Sequence, residues 1–240
     1  MVLAAIRTAA AGVVVSLYVF LLGPPVLLWT ILSKRPALLY QVAGLGVRIG
    51  LALAGITVRV IGHENILRGR AAVYVSNHSS NVDSPSVFFA LRSLFPRLRV
   101  LYKAELRKLP VLVWAFDVAG FVPLERVNKD QSWPAIDRAA DALRQGNSFF
   151  IFPEGTRSRT GELLPFKKGG FVMALKAQAP LVPLVVSGGR EAMRKGSPLI
   201  WPTTVTVTVL PAVATAGLTV DDRDQVIATV RESIAAALLA

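Results

Sequence analysis

Cysteine is absent from this 240-residue chain, and histidine occurs only twice, as His63 and His78. The absence of cysteine excludes disulfide bonds, thiolate nucleophiles and zinc sites with cysteine ligands. Two histidines cannot supply a site with three histidine ligands, and any catalytic histidine must be one of these two. His63 stands near a predicted strand boundary without an acid at a matching spacing, so we interpret it as structural.

Acidic residues are also scarce, since 15 Asp and Glu stand against 27 Lys and Arg, and the first acid in the chain is Glu64. Only 18% of the residues are charged and 53% are hydrophobic, whereas a globular domain usually carries about 25% charged residues. This composition excludes a disordered chain. A net charge of +12 indicates an anionic partner, either nucleic acid or phospholipid head groups, and the hydrophobicity favours lipid.

The N-terminal part has long hydrophobic stretches with few charges. Residues 8–33 carry none, which is enough for a helix to cross about 30 Å of hydrocarbon. Residues 23–25 read Gly-Pro-Pro and should break or kink a helix, and Arg48 interrupts a second apolar stretch at residues 36–60. Two interpretations remain: one span bent at the prolines, or two helices that enter one leaflet and return. The interruptions slightly favour the second.

The charges beside this stretch indicate its orientation. Lys34 and Arg35 follow the apolar run, as expected at a cytoplasmic membrane face. A cleaved signal peptide fits poorly, because the run is longer than usual and no small-x-small site precedes Lys34. We therefore predict that residues 1–55 form hydrophobic helices at the cytoplasmic face of the cell inner membrane, as a monotopic or single-span anchor, and that residues 56–240 form a separate domain.

Strand and helix patterns alternate in that second part. Short β-branched or buried-type apolar runs predict the strands, and 3.6-residue periodicity with end signals predicts the helices. Such alternation predicts an α/β fold with a mixed sheet flanked by helices. The predicted strands are 56–61, 71–76, 99–102, 121–124, 148–152, 181–186 and 203–210, and the predicted helices are 85–94, 133–144, 170–178 and 221–239.

Three predicted loops carry polar residues suited to chemistry. In the first, His78 follows the strand at residues 71–76, and Asp83 stands next to a predicted helix start, with Ser84 as the N-cap and Pro85 in the first turn. A loop histidine and an aspartate at the helix N-terminus can meet, so that Asp83 accepts the Nδ1–H of His78 and leaves Nε2 free as a base. A purely structural cap is the alternative for this pair taken alone.

The other two loops carry arginines at predicted strand ends. Residues 152–158 read Phe-Pro-Glu-Gly-Thr-Arg-Ser, with Arg157 suited to bind a phosphate. Residues 120–126 bring Arg126 to the end of another strand. We expect Arg126 and Arg157 to lie at the same edge of the sheet as His78, with Glu154 holding one arginine in place. Taken singly, an ordinary turn and a solvated arginine are the alternatives.

Together, in this order, the three loops and the Leu-Val-Pro-Leu run at residues 181–184 resemble the glycerolipid acyltransferase family, most of all bacterial 1-acylglycerol-3-phosphate acyltransferases. The resemblance covers roughly residues 60 to 190. It implies that His78 and Asp83 are the catalytic pair and that the acyl acceptor binds in the two arginine loops. The implied acceptor-binding residues are Arg126, Glu154, Gly155, Thr156 and Arg157. Residues 81–82 are Asn-Val, whereas many members of the family have a bulkier pair there. This difference concerns the identity of the acceptor more than the chemistry.

The resemblance implies transfer of a fatty acyl group from an acyl thioester to the sn-2 hydroxyl of 1-acylglycerol-3-phosphate, which makes phosphatidic acid. Acyl-CoA or acyl carrier protein would be the donor, and we expect no metal ion or other cofactor. The expected partners are the lysophospholipid, the acyl thioester and an anionic membrane surface, without nucleic acid. The main alternative is an acyltransferase for another lysolipid or for glycerol-3-phosphate.

Other classes of function fit less well. A serine hydrolase would need a nucleophile elbow, but the sequence has no Gly-x-Ser-x-Gly. A nucleic-acid-binding protein would leave the uncharged N-terminus unexplained. A membrane-binding module without catalysis would leave the complete set of motif residues unexplained.

Overall fold

The structure is a computed structural model that describes residues 1–108, 110–124 and 129–239. Its centre is a seven-stranded sheet in the order β1-β7-β6-β2-β5-β3-β4. All neighbouring strands run parallel except β6 and β7, which are antiparallel. The strands are β1 (Ile56–Ile61), β2 (Val73–Ser76), β3 (Leu98–Lys103), β4 (Val122–Leu124), β5 (Ser148–Ile151), β6 (Leu181–Ser187) and β7 (Thr203–Val209).

Eight α-helices are found in the part of the chain described above. They are α1 (Val2–Ser33), α2 (Ala37–Leu53), α3 (Asp83–Ala90), α4 (Pro110–Val118), α5 (Lys129–Arg144), α6 (Gly169–Ala177), α7 (Gly189–Ala192) and α8 (Arg223–Leu239). One hydrophobic core forms where α5, α6 and α8 cover one face of the sheet. A second core forms on the other face, where α2 and α3 pack. The sheet is therefore buried on both faces.

Burial follows the sequence pattern of each strand. The four residues of β2 and of β5 are all buried, as expected for central parallel strands covered by helices on both faces. In β7 the valines at positions 205, 207 and 209 are buried while the threonines between them are more exposed. This alternation is typical of a strand with one buried face.

The predicted fold class, a mixed sheet flanked by helices with an apolar N-terminal helix, is confirmed. Some boundaries and elements were wrong. The third helix begins at Asp83 with Val82 as its N-cap, and Ser84 is not the cap, because the Asp83 N–H already bonds to the Ser80 carbonyl and continues into the first helical turn. The helix also ends at Ala90, before a one-turn 3₁₀ helix at Arg92–Leu94. The short helices α4 and α7 were not predicted.

The prolines at residues 24–25 were expected to break or kink the N-terminal helix. Instead, α1 continues through Pro24 and Pro25 to Ser33. Two prolines remove only two of its backbone hydrogen bonds, and the apolar turns on both sides remain helical. By length and composition, α1 is able to cross a membrane. It packs against α2, and α2 packs against α3 and β1. A division of the chain after residue 55 stays a prediction.

Candidate active site

The site lies at the edge of the sheet where β2, β5 and β6 end. These strands are parallel neighbours, so the loops that follow them meet at one edge. The loop after β2 carries His78, the loop after β5 carries Glu154 and Arg157, and the segment after β6 begins at Gly188. Three parts of the chain that are distant in sequence thus form one site.

His78 and Asp83 are in direct contact. The distance from His78 Nδ1 to Asp83 Oδ2 is 3.0 Å, and the Asp83 side chain is completely buried. The same Oδ2 accepts the backbone N–H groups of Ser79 and Ser80, each at 2.7 Å. These bonds hold the carboxylate in one position, so Nδ1 carries the proton and Nε2 has a free lone pair. A general base needs this arrangement.

The other carboxylate oxygen of Asp83 lies against Gly189. This oxygen, Oδ1, is buried and accepts no hydrogen bond from the described residues. A Cβ atom on Gly189 would overlap with it and would also approach the Cβ of Ser80 to 3.4 Å. The absence of a side chain at position 189 is therefore what leaves room for the Asp83 carboxylate beside α7.

Several contacts join the loop of His78 to the loop after β5. The His78 ring stacks on Phe152, with ring centroids 3.8 Å apart and planes 14° from parallel. The His78 N–H donates to Glu154 Oε1 at 2.8 Å, and the Ser158 N–H donates to the His78 carbonyl at 2.7 Å. These contacts fix both the backbone and the ring of His78.

Glu154 contacts backbone groups of two loops. Its side chain is buried. Oε1 accepts the N–H of His78, and Oε2 accepts the N–H of Leu164 at 3.0 Å. Burial raises the pKa of the Glu154 carboxyl above its ordinary value, and these two donors offset part of the rise. Between described residues no ion pair joins Glu154 to Arg157. Glu154 thus holds loop backbone, and its expected contact with one of the two arginines stays a prediction, because Arg126 lies outside the described residues.

The turn after Glu154 presents the next three predicted site residues. Gly155 has φ of 68°, which favours glycine, and a Cβ atom there would lie 2.9 Å from the Lys167 side chain. Thr156 is exposed and Arg157 is half-buried. Lys195 donates to the Arg157 carbonyl at 2.7 Å and to Thr156 Oγ1 at 3.3 Å. Two lysine side chains, those of Lys167 and Lys195, therefore lie beside the turn.

Arg126, the remaining predicted site residue, lies outside the described residues. The strand before it, β4, ends at Leu124 and runs parallel to β3, which runs parallel to β5. The carboxyl end of β4 is therefore at the same edge of the sheet as the other loops. The roles assigned to Arg126 and to the other site residues stay predictions.

Backbone N–H groups of the His78 loop are natural candidates for stabilising the oxyanion of a tetrahedral intermediate, because they lie beside the proposed base. Three of them are already used, because the N–H of His78 donates to Glu154 and those of Ser79 and Ser80 donate to Asp83. They are not available to a tetrahedral intermediate in this geometry. Among the described residues, no group of three or more His, Asp or Glu side chains is placed to hold a metal ion.

The sequence interpretation missed four residues that shape the site. Phe152, Gly189 and Lys195 make the contacts described above. Asn77, directly before His78, donates to the Val186 carbonyl and accepts the Val186 N–H, which ties β2 to β6. A polar residue before the histidine and a Gly-Gly pair after a buried strand were the available signals, but neither indicates a contact partner.

Comparison with known proteins identifies the family of the chain. The Acyltransferase family model matches residues 57–187, more than half of the chain, and the chain therefore belongs to the acyltransferase family. The family prediction made from the motifs is confirmed.

Individual relatives show the extent of the similarity. The chloroplastic 1-acyl-sn-glycerol-3-phosphate acyltransferase BAT2 of Brassica napus is 39% identical over 125 residues, which are 52% of this chain and 35% of the relative. The 1-acyl-sn-glycerol-3-phosphate acyltransferase of Limnanthes douglasii is 34% identical over 180 residues, 74% of this chain and 62% of the relative. The chain thus spans less than two thirds of the length of these two relatives.

A solved structure shares the fold. The crystal structure of PlsC, the 1-acyl-sn-glycerophosphate (LPA) acyltransferase from Thermotoga maritima, aligns with a TM-score of 0.78 and 24% identity. The alignment covers 98% of this chain and 95% of PlsC. The similarity therefore includes the N-terminal helices as well as the sheet.

Proposed function

We propose that this protein transfers a fatty acyl group from an acyl thioester to the sn-2 hydroxyl of 1-acylglycerol-3-phosphate and so makes phosphatidic acid. The observation that carries the proposal is the hydrogen bond of His78 Nδ1 to the buried Asp83, at the edge of the sheet that also carries Arg157. The relatives named above are acyltransferases of this acceptor.

The proposed chemistry uses His78 first as a base and then as an acid. Nε2 takes the proton from the acceptor hydroxyl as its oxygen forms a bond to the thioester carbonyl carbon. The tetrahedral intermediate then breaks its carbon–sulfur bond, and the imidazolium returns the proton to the leaving thiolate. Asp83 stabilises the imidazolium through the bond to Nδ1. Catalysis of this kind contributes on the order of 10²–10⁴-fold, and we expect no metal ion or other cofactor.

An apolar cavity of about 560 Å³ between α1, α2 and the start of α3 supports an acyl-chain substrate. Asn81, Val82 and Pro85 line it, and they follow His78 by only a few residues. The opposite walls come from small and apolar residues of the two N-terminal helices, Ala11, Gly12, Val15, Ala43, Gly46 and Gly50 among them. A fatty acyl chain in this cavity would have its carboxyl end directed toward the loop of His78.

The proposed location is the cytoplasmic face of the cell inner membrane, with α1 as the anchor. The α1 helix exposes many large apolar side chains, including Phe20 and Leu32, whose exposed fractions are 77% and 73%. A continuous exposed apolar surface of this kind marks a membrane contact. Lys34 and Arg35 at its C-terminal end and the net charge of +12 suit anionic head groups.

The assay that tests the function offers several acceptors with each donor. The full chain, in vesicles of phosphatidylglycerol and phosphatidylethanolamine, would receive lysophosphatidic acid, other lysolipids or glycerol-3-phosphate, each with acyl-CoA or acyl carrier protein. Mass spectrometry would identify the product. Formation of phosphatidic acid from lysophosphatidic acid supports the proposal, and acylation of another acceptor alone would contradict it.

Replacing Val15 with phenylalanine is expected to shift acyl-chain preference toward shorter chains. Val15 lines the cavity from α1, and a larger side chain there displaces methylene groups that contribute about 0.8 kcal/mol each. Val15→Ala is the matched control and should favour longer chains. Competition between donors of different chain length measures the preference, and identical profiles for all three proteins would show that the cavity does not hold the transferred chain.

Replacing Arg157 with lysine is expected to raise the KM for lysophosphatidic acid roughly ten- to a hundred-fold, since a charge-assisted hydrogen bond contributes about 1.5–3 kcal/mol. Lysine keeps the charge but loses the two-pronged guanidinium geometry that suits a phosphate. The KM for the acyl donor should barely change. Arg159→Lys, on the same loop, is the control. A rise in the donor KM instead would indicate that Arg157 binds phosphates of the donor.

A further inference from the structure

The segment that follows β6 contacts both loops of the site, and we call residues 188–195 the bridging segment. At the His78 loop, Gly189 packs against the Asp83 carboxylate, and the Ser80 hydroxyl donates to the Met193 carbonyl at 2.8 Å. The bridging segment is therefore attached to the loop that carries the proposed base.

At the other loop, the bridging segment contacts the turn that presents Arg157. Lys195 Nζ donates to the Arg157 carbonyl at 2.7 Å and to Thr156 Oγ1 at 3.3 Å. Arg190 Nε donates to the Arg159 carbonyl at 3.1 Å. The two side chains that make these contacts, Arg190 and Lys195, both belong to the bridging segment. One short segment thus connects the base loop to the turn that carries the arginine.

The contact at the Arg157 carbonyl has a direct geometric consequence. This carbonyl belongs to the peptide unit that follows the Cα of Arg157, so a bond to it limits rotation of the backbone from which the guanidinium projects. The bond is short and its donor is ionised, features of a strong hydrogen bond. A guanidinium binds a phosphate through two parallel hydrogen bonds only in a defined orientation, so a fixed backbone at this position matters for binding.

We propose that Lys195 is a positioning residue for the acyl acceptor, which holds the turn at Thr156 and Arg157 at a set distance from His78. The inference rests on the proposed function, in which Arg157 binds the acceptor phosphate. Lys195 acts through the Arg157 backbone rather than by contact with the reacting atoms.

The kinetic test compares Lys195→Met, Lys195→Arg and Arg194→Met in the full-length protein in vesicles. Lys195→Met keeps the aliphatic chain but loses the donor, and it should raise the acceptor KM about ten-fold with little change in the donor KM or kcat. Lys195→Arg should restore most of the wild-type KM. Arg194→Met removes the same charge from a neighbouring side chain that has no hydrogen bond or ion pair to the described residues. Its acceptor KM should remain near the wild-type value.

A second measurement follows the turn directly. The Ser158 amide bonds to the His78 carbonyl at 2.7 Å, and its hydrogen exchange should become about ten-fold faster in Lys195→Met but not in Arg194→Met. Equal effects of the two substitutions, an unchanged acceptor KM, or unchanged exchange at Ser158 would overturn the proposal. If the wild-type protein acylates no phosphate-bearing acceptor, the proposed function fails, and the exchange at Ser158 still decides whether Lys195 holds the turn.

Discussion

Replacing His78 with alanine is expected to reduce kcat for acyl transfer at least about 10²-fold, because the substitution removes the only proposed general base. The fold should survive. Asp83 still accepts the N–H groups of Ser79 and Ser80, and the backbone bonds of residue 78 to Glu154 and Ser158 do not involve the imidazole. Initial rates with saturating lysophosphatidic acid and acyl donor, together with a thermal unfolding curve, measure both effects.

His63→Ala is the matched control, since His63 is the other histidine of the chain. Its side chain is 72% exposed and lies near Glu64 rather than at the sheet edge that carries His78. Its replacement should leave kcat near the wild-type value. Normal turnover in His78→Ala combined with a loss in His63→Ala would show that the base is assigned to the wrong residue.

Replacing Gly189 with alanine is expected to lower kcat on the order of 10²-fold, although the substitution adds only one methyl group. The new Cβ would overlap with Oδ1 of Asp83, a completely buried group with no free space. The carboxylate or the start of α7 must move, and either movement disturbs the bond to His78 Nδ1. Since Asp83 does not contact the acceptor phosphate in the proposed mechanism, kcat should fall more than the acceptor KM rises.

Gly69→Ala is the control for this substitution, because a Cβ atom at Gly69 meets nothing within 4 Å. It should leave both kcat and the melting temperature near wild type. Gly189→Ala should also lower the melting temperature, since overpacking typically costs about 1–3 kcal/mol. Wild-type kcat in Gly189→Ala would show that Asp83 tolerates displacement and that its position is not critical for the base.

The backbone contacts of Glu154 could not be predicted from the sequence. Glu154 is buried, and its oxygens accept the N–H groups of His78 and Leu164. The first of these donors is 76 residues away in the sequence, and no local pattern indicates such a distant partner.

The sequence by itself determined the features that depend on local pattern. The alternation of strand and helix patterns predicted the α/β sheet, the uncharged N-terminal run predicted the apolar helix, and the spacing of His78 and Asp83 across a helix start predicted their contact. These features follow from period, composition and the chemistry of neighbouring residues, which are all readable along the chain.

Only the tertiary structure decided which loops meet and what holds them. The parallel order of β6, β2 and β5 brings three loop ends to one edge, and this pairing places Gly189 against Asp83 and Lys195 against the Arg157 carbonyl. The physical reason is that strand order and backbone contacts depend on packing between residues distant in sequence. A glycine or lysine has the same local signature whether it faces solvent or a buried carboxylate.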